Sequence, residues 1–265
     1  MQVAVVGAGR WGRLHAAKLA AVPGVRLAAV VDVDADRAAA LAGLYPGAVA
    51  CDRVAALPAG VQAVTVAVDM GNLALVARAA LARGLHALVE KPLALDVATA
   101  EALVAAAERR DRVLAVGFLE RFNPALTVAP GAVRRLVARR LGPSAAGAAP
   151  LDLDWLVHDL DLAAWLLGGP LSVERARFRE DDLRLELATL DGRSARLRAA
   201  RCAPVARRRL WADGARIDLG GPGDALAAQI AAFCAAARGR PAGALARGED
   251  ALRALTLIEA ARARG

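Results

Sequence analysis

Three places in the chain carry residue types able to do chemistry, at spacings that chemistry needs. The first is Gly7-Ala8-Gly9-Arg10-Trp11-Gly12. It follows a short apolar run, Gln2 to Val6, and opens a helical pattern, and Asp32 stands 20 residues after Gly12 at the end of the next apolar run. In dinucleotide binding each glycine has a reason. Gly7 permits a tight turn, Gly9 lets the backbone approach a pyrophosphate at the helix N-terminus, and Gly12 lets helix and strand pack closely. Asp32 is placed to accept hydrogen bonds from the adenosine ribose hydroxyls. Its charge repels a 2′-phosphate, so the pattern favours NAD over NADP. An ordinary glycine turn in another α/β fold is the weaker alternative, because strand, helix and acid all occur in order.

The second place is Glu90-Lys91-Pro92, closing the apolar run His86 to Val89. Ligands of open α/β sheets bind at the carboxyl ends of strands. Of the 35 basic residues only Lys18 and Lys91 are lysines. A site that needs a compact or titratable cation uses Lys, because Arg does not give up its proton. A surface Lys paired with Glu90 is the plainer alternative.

The third place is Asp154 and His158, four apart on a predicted helix, with Asp161 three further on. A carboxylate beside an imidazole holds the ring and suits it to moving a hydroxyl proton. From spacing alone a structural Asp–His pair is the commoner reading. No set of residues with metal-ligand spacing stands out. His15, on the first helix, and His86, in a strand, read as packing or surface residues. Cys51, Cys202 and Cys234 are odd in number and form no CxxC, which fits free thiols in a reducing cytoplasm.

Stepping from residues to elements, apolar strands and amphipathic helices alternate over about the first 118 residues, which predicts a parallel sheet covered on both faces. Strands are expected at Gln2 to Val6, Val25 to Val31, Val61 to Val68, His86 to Val89 and Val113 to Phe118. Helices start behind the glycine turn, at Asp34 or Asp36, at Leu73 and at Asp96. The pattern then changes. A loop rich in Gly, Pro, Ala and Ser spans Gly142 to Pro150, and a helix is predicted over Asp152 to Leu167. Five strand-like stretches follow between Ser172 and Leu219, and turn signals such as Asp191-Gly192 suggest an antiparallel meander. Two closing helices lie at about Asp224 to Arg238 and Glu249 to Arg262. The expected domains are 1–118 and 119–265, with the closing helix packing back on the first.

The composition limits function. Hydrophobic residues make up 57% and aromatics 3%, so cores are built of small aliphatics. The net charge of +8 favours anionic small ligands. The arginines are scattered and lack interleaved aromatics, so no nucleic-acid partner is expected. No apolar run is long enough to span a bilayer, and a strand-like run begins at residue 2, so neither a membrane nor a signal peptide is expected.

Taken in order, Gly7 to Gly12, Asp32, Glu90-Lys91-Pro92 and Asp154-x-x-x-His158 within His158-Asp159-Leu160-Asp161-Leu162 resemble the Gfo/Idh/MocA oxidoreductase family. The resemblance implies a Rossmann domain, a second α/β domain with an open, mostly antiparallel sheet, and a substrate cleft between them. It implies that Gly7, Gly9, Arg10, Trp11, Gly12, Asp32, Glu90 and Lys91 border the cofactor. Lys91 then hydrogen-bonds the reacting hydroxyl, His158 serves as acid/base, and Asp154 positions substrate or His158. The expected activity is hydride transfer between NAD and a hydroxyl carbon of a sugar, cyclitol or nucleotide sugar. A non-catalytic NAD-binding regulator, or a reductase of a non-sugar carbonyl or imine, are the alternatives. Glu120-Arg121-Phe122-Asn123-Pro124-Ala125 and Arg139-Arg140-Leu141-Gly142-Pro143 are similar to the branch of UDP-N-acetylglucosamine 3-dehydrogenases. There Arg121 and Asn123 would face substrate, Arg121 through phosphates, an interdomain salt bridge being the equal alternative for Arg121. The family's Thr-Pro-x-x-x-His after the fourth strand is replaced by Val68, Asp69 and Leu73. A homodimer or homotetramer built through the open sheet face is expected.

Overall fold

The computed structural model describes residues 1–144, 149–220 and 223–264. Residues 145–148 of the loop read between Gly142 and Pro150 lie outside the described residues. The chain divides into two compact units, residues 1–119 with 224–249, and residues 120–223 with 250–265.

The first unit opens with β1 (Gln2–Val6), α1 (Arg10–Ala20), β2 (Arg26–Val31), α2 (Ala35–Ala42) and β3 (Val49–Cys51). It continues with β4 (Ala63–Val66), α3 (Leu73–Ala82), β5 (His86–Val89), α4 (Val97–Glu108) and β6 (Leu114–Val116). Its sheet has the order β3-β2-β1-β4-β5-β6, and every pairing is parallel. Strands buried on both faces explain the unbroken Val, Ala and Leu runs: Val3 to Val5, Val64 and Ala87 to Val89 have no exposed surface. Asp34 caps α2 by accepting from the Asp36 and Arg37 amides, and Asp96 caps α4 by accepting from Thr99. The strand order reverses between β1 and β4, and the glycine turn leaves the carboxyl end of β1 at that point.

The second unit holds β7 (Arg135–Leu141), a π-helical turn (Asp152–Leu156) running into α5 (Val157–Leu167), then β8 (Leu171–Arg179), β9 (Asp182–Thr189), β10 (Ser194–Ala200), β11 (Arg207–Ala212) and β12 (Ala215–Ile217). The sheet order is β12-β11-β7-β10-β9-β8. The meander of β8, β9 and β10 is antiparallel, as is β7 with β11 and β11 with β12, whereas β7 and β10 run parallel. Alternation sets the faces. Leu136, Ala138, Leu183, Leu185, Leu187, Ala195, Leu197 and Leu210 are buried on the side where α5 packs on β7 and β10. Arg135, Arg139, Arg184, Arg196 and Arg209 are exposed on the other.

The chain closes with α6 (Ala225–Ala236) and α7 (Gly248–Arg262). Residues 224–249 cluster with the first unit and residues 250–265 with the second. The physical reason is the open edge of β6. The Val116 amide donates to the Ala246 carbonyl at 3.1 Å, and Ala115 bridges to Arg247. Beside it α6 packs on α1, where Lys18 Nζ lies 2.6 Å from Asp224 Oδ2. The buried Gln229 amide, with its oxygen turned to the donors, accepts from the Phe118 and Leu119 amides at 3.2 Å.

Candidate active site

The glycine turn is built as the dinucleotide reading requires. Gly7 sits at φ +98°, and a Cβ there would overlap the Ala67 carbonyl oxygen. A Cβ at Gly12 would overlap the Gly7 carbonyl oxygen, so helix α1 lies directly against the turn. Around Gly9, no other residue among those described lies within 4 Å of the position a Cβ would take. Gly9 is also the N-cap of α1 and supplies no capping side chain. The first amides of the helix have no intrahelical acceptor and lie at the positive end of the helix dipole. Arg10 and Trp11 are exposed in this first turn. Asp32 closes the turn: its Oδ2 accepts from the Ala8 amide at 2.7 Å and its Oδ1 from the Asp34 amide at 2.9 Å. The nearest basic group along the chain, Arg37, is tied to Asp34 at 2.7 Å. With two acids and an engaged arginine, this end of β2 suits ribose hydroxyls and disfavours a 2′-phosphate. These residues fit NAD.

Glu90 and Lys91 follow β5 at the carboxyl edge of the same sheet. Glu90 is buried, and its Oε1 lies 3.0 Å from Nε2 of the fully buried His15 on α1. A Cβ at Gly117 would stand 2.9 Å from both Glu90 carboxylate oxygens, so only glycine leaves them room. Lys91 is half-buried. The departure from the family pattern is also placed. Val68 touches the space beside Gly7, Asp69 is exposed at the head of a 3-10 turn, Met70–Asn72, and Leu73 is a core residue at the start of α3.

In the second unit the predicted single helix begins as a π-helical turn, a form often found at functional sites. Asp154 lies in that wider turn, half-buried, and His158 is buried in the first turn of α5. The two acids after His158 are both held by arginine. Asp159, with no exposed surface, receives Arg208 Nη2 at 3.2 Å and Arg140 Nη2 at 3.4 Å. Both arginines also reach Glu120, Arg140 at 3.7 Å and Arg208 more closely. Asp161 receives Arg121 through two hydrogen bonds, and Arg121 also meets Asp250 at 3.2 Å. Burial pushes the Asp161 carboxyl up to about 6, with Arg121 pulling back part of the rise.

The structure thus brings Gly7, Gly9, Arg10, Trp11, Gly12 and Asp32 together around one open helix end, with Glu90 bonded to the same helix. Asp154 and His158 share one helical segment in the second unit. Arg121 and Asn123, the residues expected to face substrate, both have partners within the second unit. The Arg121 guanidinium is engaged by Asp161 and Asp250, inside the second unit rather than between units. The Asn123 amide accepts from Ala125 and donates to the Leu219 carbonyl, so it closes its own turn. Sequence reading missed the pairing of His15 with Glu90 and the ring of arginines around Asp159. Its only available signal was a histidine on the buried stripe of α1 with Gly12, Ala16 and Leu19, where an apolar residue is the rule.

Comparison with known proteins bears on this geometry. Residues 1–118 match the GFO_IDH_MocA model, the oxidoreductase family with an NAD-binding Rossmann fold. A UDP-N-acetylglucosamine 3-dehydrogenase from Acidithiobacillus ferrooxidans is 36% identical over 233 residues, covering 80% of this chain and 72% of the relative. The chain belongs to the Gfo/Idh/MocA oxidoreductase family. An inositol 2-dehydrogenase from Streptomyces avermitilis, 38% identical over 188 residues, aligns with 64% of the chain and 54% of its own length. The solved structure of UDP-N-acetylglucosamine 3-dehydrogenase GnnA from Acidithiobacillus ferrooxidans superposes with a TM-score of 0.86 at 31% identity, covering 99% of this chain and 97% of that one. As a Gfo/Idh/MocA member the protein is an NAD-dependent oxidoreductase, and NAD is the cofactor that the cradle at Gly9 and Asp32 fits. Both of its sheets are those of the family.

Proposed function

We propose that the protein is an NAD-dependent dehydrogenase of a hydroxyl carbon in a sugar or cyclitol, and specifically of a UDP-N-acetylhexosamine oxidised at a ring hydroxyl. The observation that carries this reading is the open N-terminus of α1 at Gly9, answered by Asp32, in a chain that keeps Lys91 after β5. The similarity to a UDP-N-acetylglucosamine 3-dehydrogenase over nearly the whole chain supports the narrower substrate.

When bound, the cofactor supplies a nicotinamide that takes up a hydride or returns it. The α1 amides hold its phosphates, Asp32 its adenosine ribose. Lys91 donates a hydrogen bond to the reacting oxygen and stabilises the charge that grows there as its proton leaves. His158 accepts that proton during oxidation and returns it in the reverse direction, and Asp154 orients it. Glu90 keeps its place beside Lys91 by its bond to His15. For association between copies, the reading is a homo-oligomer formed through the exposed face of the second sheet, where Trp211 and Val137 lie among arginines.

The test is turnover of NAD with a panel of UDP-sugars, sugars and inositols, reduced cofactor being drained into a dye, with Lys91→Ala alongside. Turnover of a UDP-N-acetylhexosamine that is lost in the variant establishes the reading. NADH binding without turnover on the whole panel moves it to an NAD-binding regulator, the role that the core residue Leu73 at the family's histidine position favours.

A further inference from the structure

We infer that His15 is a positioning residue for Lys91, acting through Glu90, so that the helix that holds the dinucleotide phosphates also fixes the lysine. The inference rests on the role proposed for Lys91 above.

The stripe of α1 that faces the sheet is Gly12, His15, Ala16 and Leu19, all buried. Burying an imidazole in such a stripe costs free energy unless its polar atoms are bonded. One is: Nε2 lies 3.0 Å from Glu90 Oε1. The other, Nδ1, is buried and has no hydrogen-bond partner among the described residues. This asymmetry fixes the proton. A proton on Nδ1 would bury an unsatisfied N–H and set a lone pair against the carboxylate, whereas a proton on Nε2 donates to Glu90 and leaves Nδ1 as a bare lone pair. His15 therefore donates through Nε2 to Glu90 in the folded protein.

Glu90 is held on its other sides as well. Its amide donates to the Val66 carbonyl at 2.9 Å, its carboxylate lies on the bare Cα of Gly117, and the Gly117 amide donates to the Val89 carbonyl at 2.8 Å. The residue before Lys91 thus has both backbone and side chain fixed, and the side-chain tie runs to α1, three residues beyond Gly12. A displacement of about 1 Å in a reacting group costs on the order of a hundredfold in rate, so a tie of this kind governs turnover more than cofactor affinity. A packing role alone would require only an apolar side chain of similar volume.

The experiment uses the composition of the chain. Lys18 and Lys91 are its only lysines, so reductive methylation with labelled formaldehyde gives two side-chain signals besides that of the N-terminus. These are recorded for wild type, His15→Leu and His15→Gln, first without cofactor. His15→Leu is expected to shift the Lys91 signal and leave that of Lys18, while His15→Gln, which keeps an N–H at similar reach, stays near wild type. With substrate, His15→Leu is expected to lower kcat by about tenfold or more, with the Kd for NADH within about twofold of wild type, and His15→Gln to recover most of the loss. Imidazole nitrogen shifts are expected to show His15 protonated on Nε2 alone. A folded His15→Leu protein with an unmoved Lys91 signal and wild-type kcat overturns the inference. So does a loss that His15→Gln does not recover, or a His15 protonated on Nδ1. If the wild type turns over no substrate, the dehydrogenase reading fails, while the lysine signals still decide whether His15 positions Lys91.

Discussion

Arg121 grips Asp161 through two parallel hydrogen bonds, Nε to Oδ2 at 2.9 Å and Nη2 to Oδ1 at 2.5 Å, and both side chains are buried. A fork of this kind is strong when intact and costly when broken, because the remaining charge stays buried. Asp161→Ala is expected to lower the unfolding free energy by about 3–5 kcal/mol, measured by urea denaturation. The apolar double replacement Arg121→Met with Asp161→Leu is expected to cost less than either single change, which a double-mutant cycle reads directly. A double variant less stable than both singles would contradict this account of the pair.

Two carboxylates give opposite pH dependences. Burial raises Asp161 to about 6 from an ordinary 3.8. The folded state then holds a proton that the unfolded chain has released, so the stability from this group is full below about pH 4 and is lost as pH rises through about 6. Hydrogen bonds from Arg184 and Arg198 instead lower Asp182 to about 2. Its contribution is present above 3.8 and is lost as pH falls through about 2. Melting temperatures against pH are expected to lose the first slope in Asp161→Asn and the second in Asp182→Asn.

Gly9 and Gly12 separate binding from folding. A methyl group at Gly9 meets no other residue among those described but intrudes on the proposed phosphate site, so Gly9→Ala is expected to melt within about 2 °C of wild type and to lose about tenfold or more in NADH affinity. A methyl group at Gly12 overlaps the Gly7 carbonyl, so Gly12→Ala is expected to cost about 1–3 kcal/mol or more of stability. Calorimetry with NADH titration measures both.

The role proposed for Asp32 is to select the cofactor by charge. Asp32→Asn removes that charge and keeps an oxygen for the Ala8 amide. The preference for NAD over NADP is expected to fall by about tenfold or more, read as the ratio of the two Kd values. An unchanged ratio would place discrimination elsewhere.

The outer face of the second sheet tests the association reading. Arg135, Arg139, Arg184, Arg196 and Arg209 are exposed there, and the acids on it, Asp182 and Glu186, are engaged by arginines. If two copies meet on this face, like charges oppose them. Association is expected to tighten as salt rises from about 0.05 to about 0.5 M, measured by sedimentation. Arg139→Glu is expected to tighten it at low salt.

What was legible in the sequence was local. Gly7 to Gly12, the run Val25 to Val31, the caps Asp34 and Asp96, and the meander with its Asp191-Gly192 turn each declare themselves within about ten residues. What was not legible depends on distant partners. β7 is arginine-rich and joins a sheet by pairing in parallel with β10, 59 residues on in register at Arg135 and Ser194. β3 is three residues of a sheet edge, two of them exposed. The π-helical turn carries no local sign. Arg121 and Asp161 stand 40 residues apart, and His15 and Glu90 75. Nothing in either residue's neighbourhood names its partner.

The assignment of residues 224–249 to the first unit, and of 250–265 to the second, has a consequence for synthesis. As the chain leaves the ribosome, the β6 edge waits for Ala246 until every strand of the second sheet has emerged. Asp152 likewise waits for Arg262, its partner at 2.7 Å and 110 residues later. The first unit is complete only when the first turn of α7 is made, the second only when its last turn is. A gene cut after residue 118 therefore yields a first fragment that lacks residues 224–249 and a second that carries them without the β6 edge they cover.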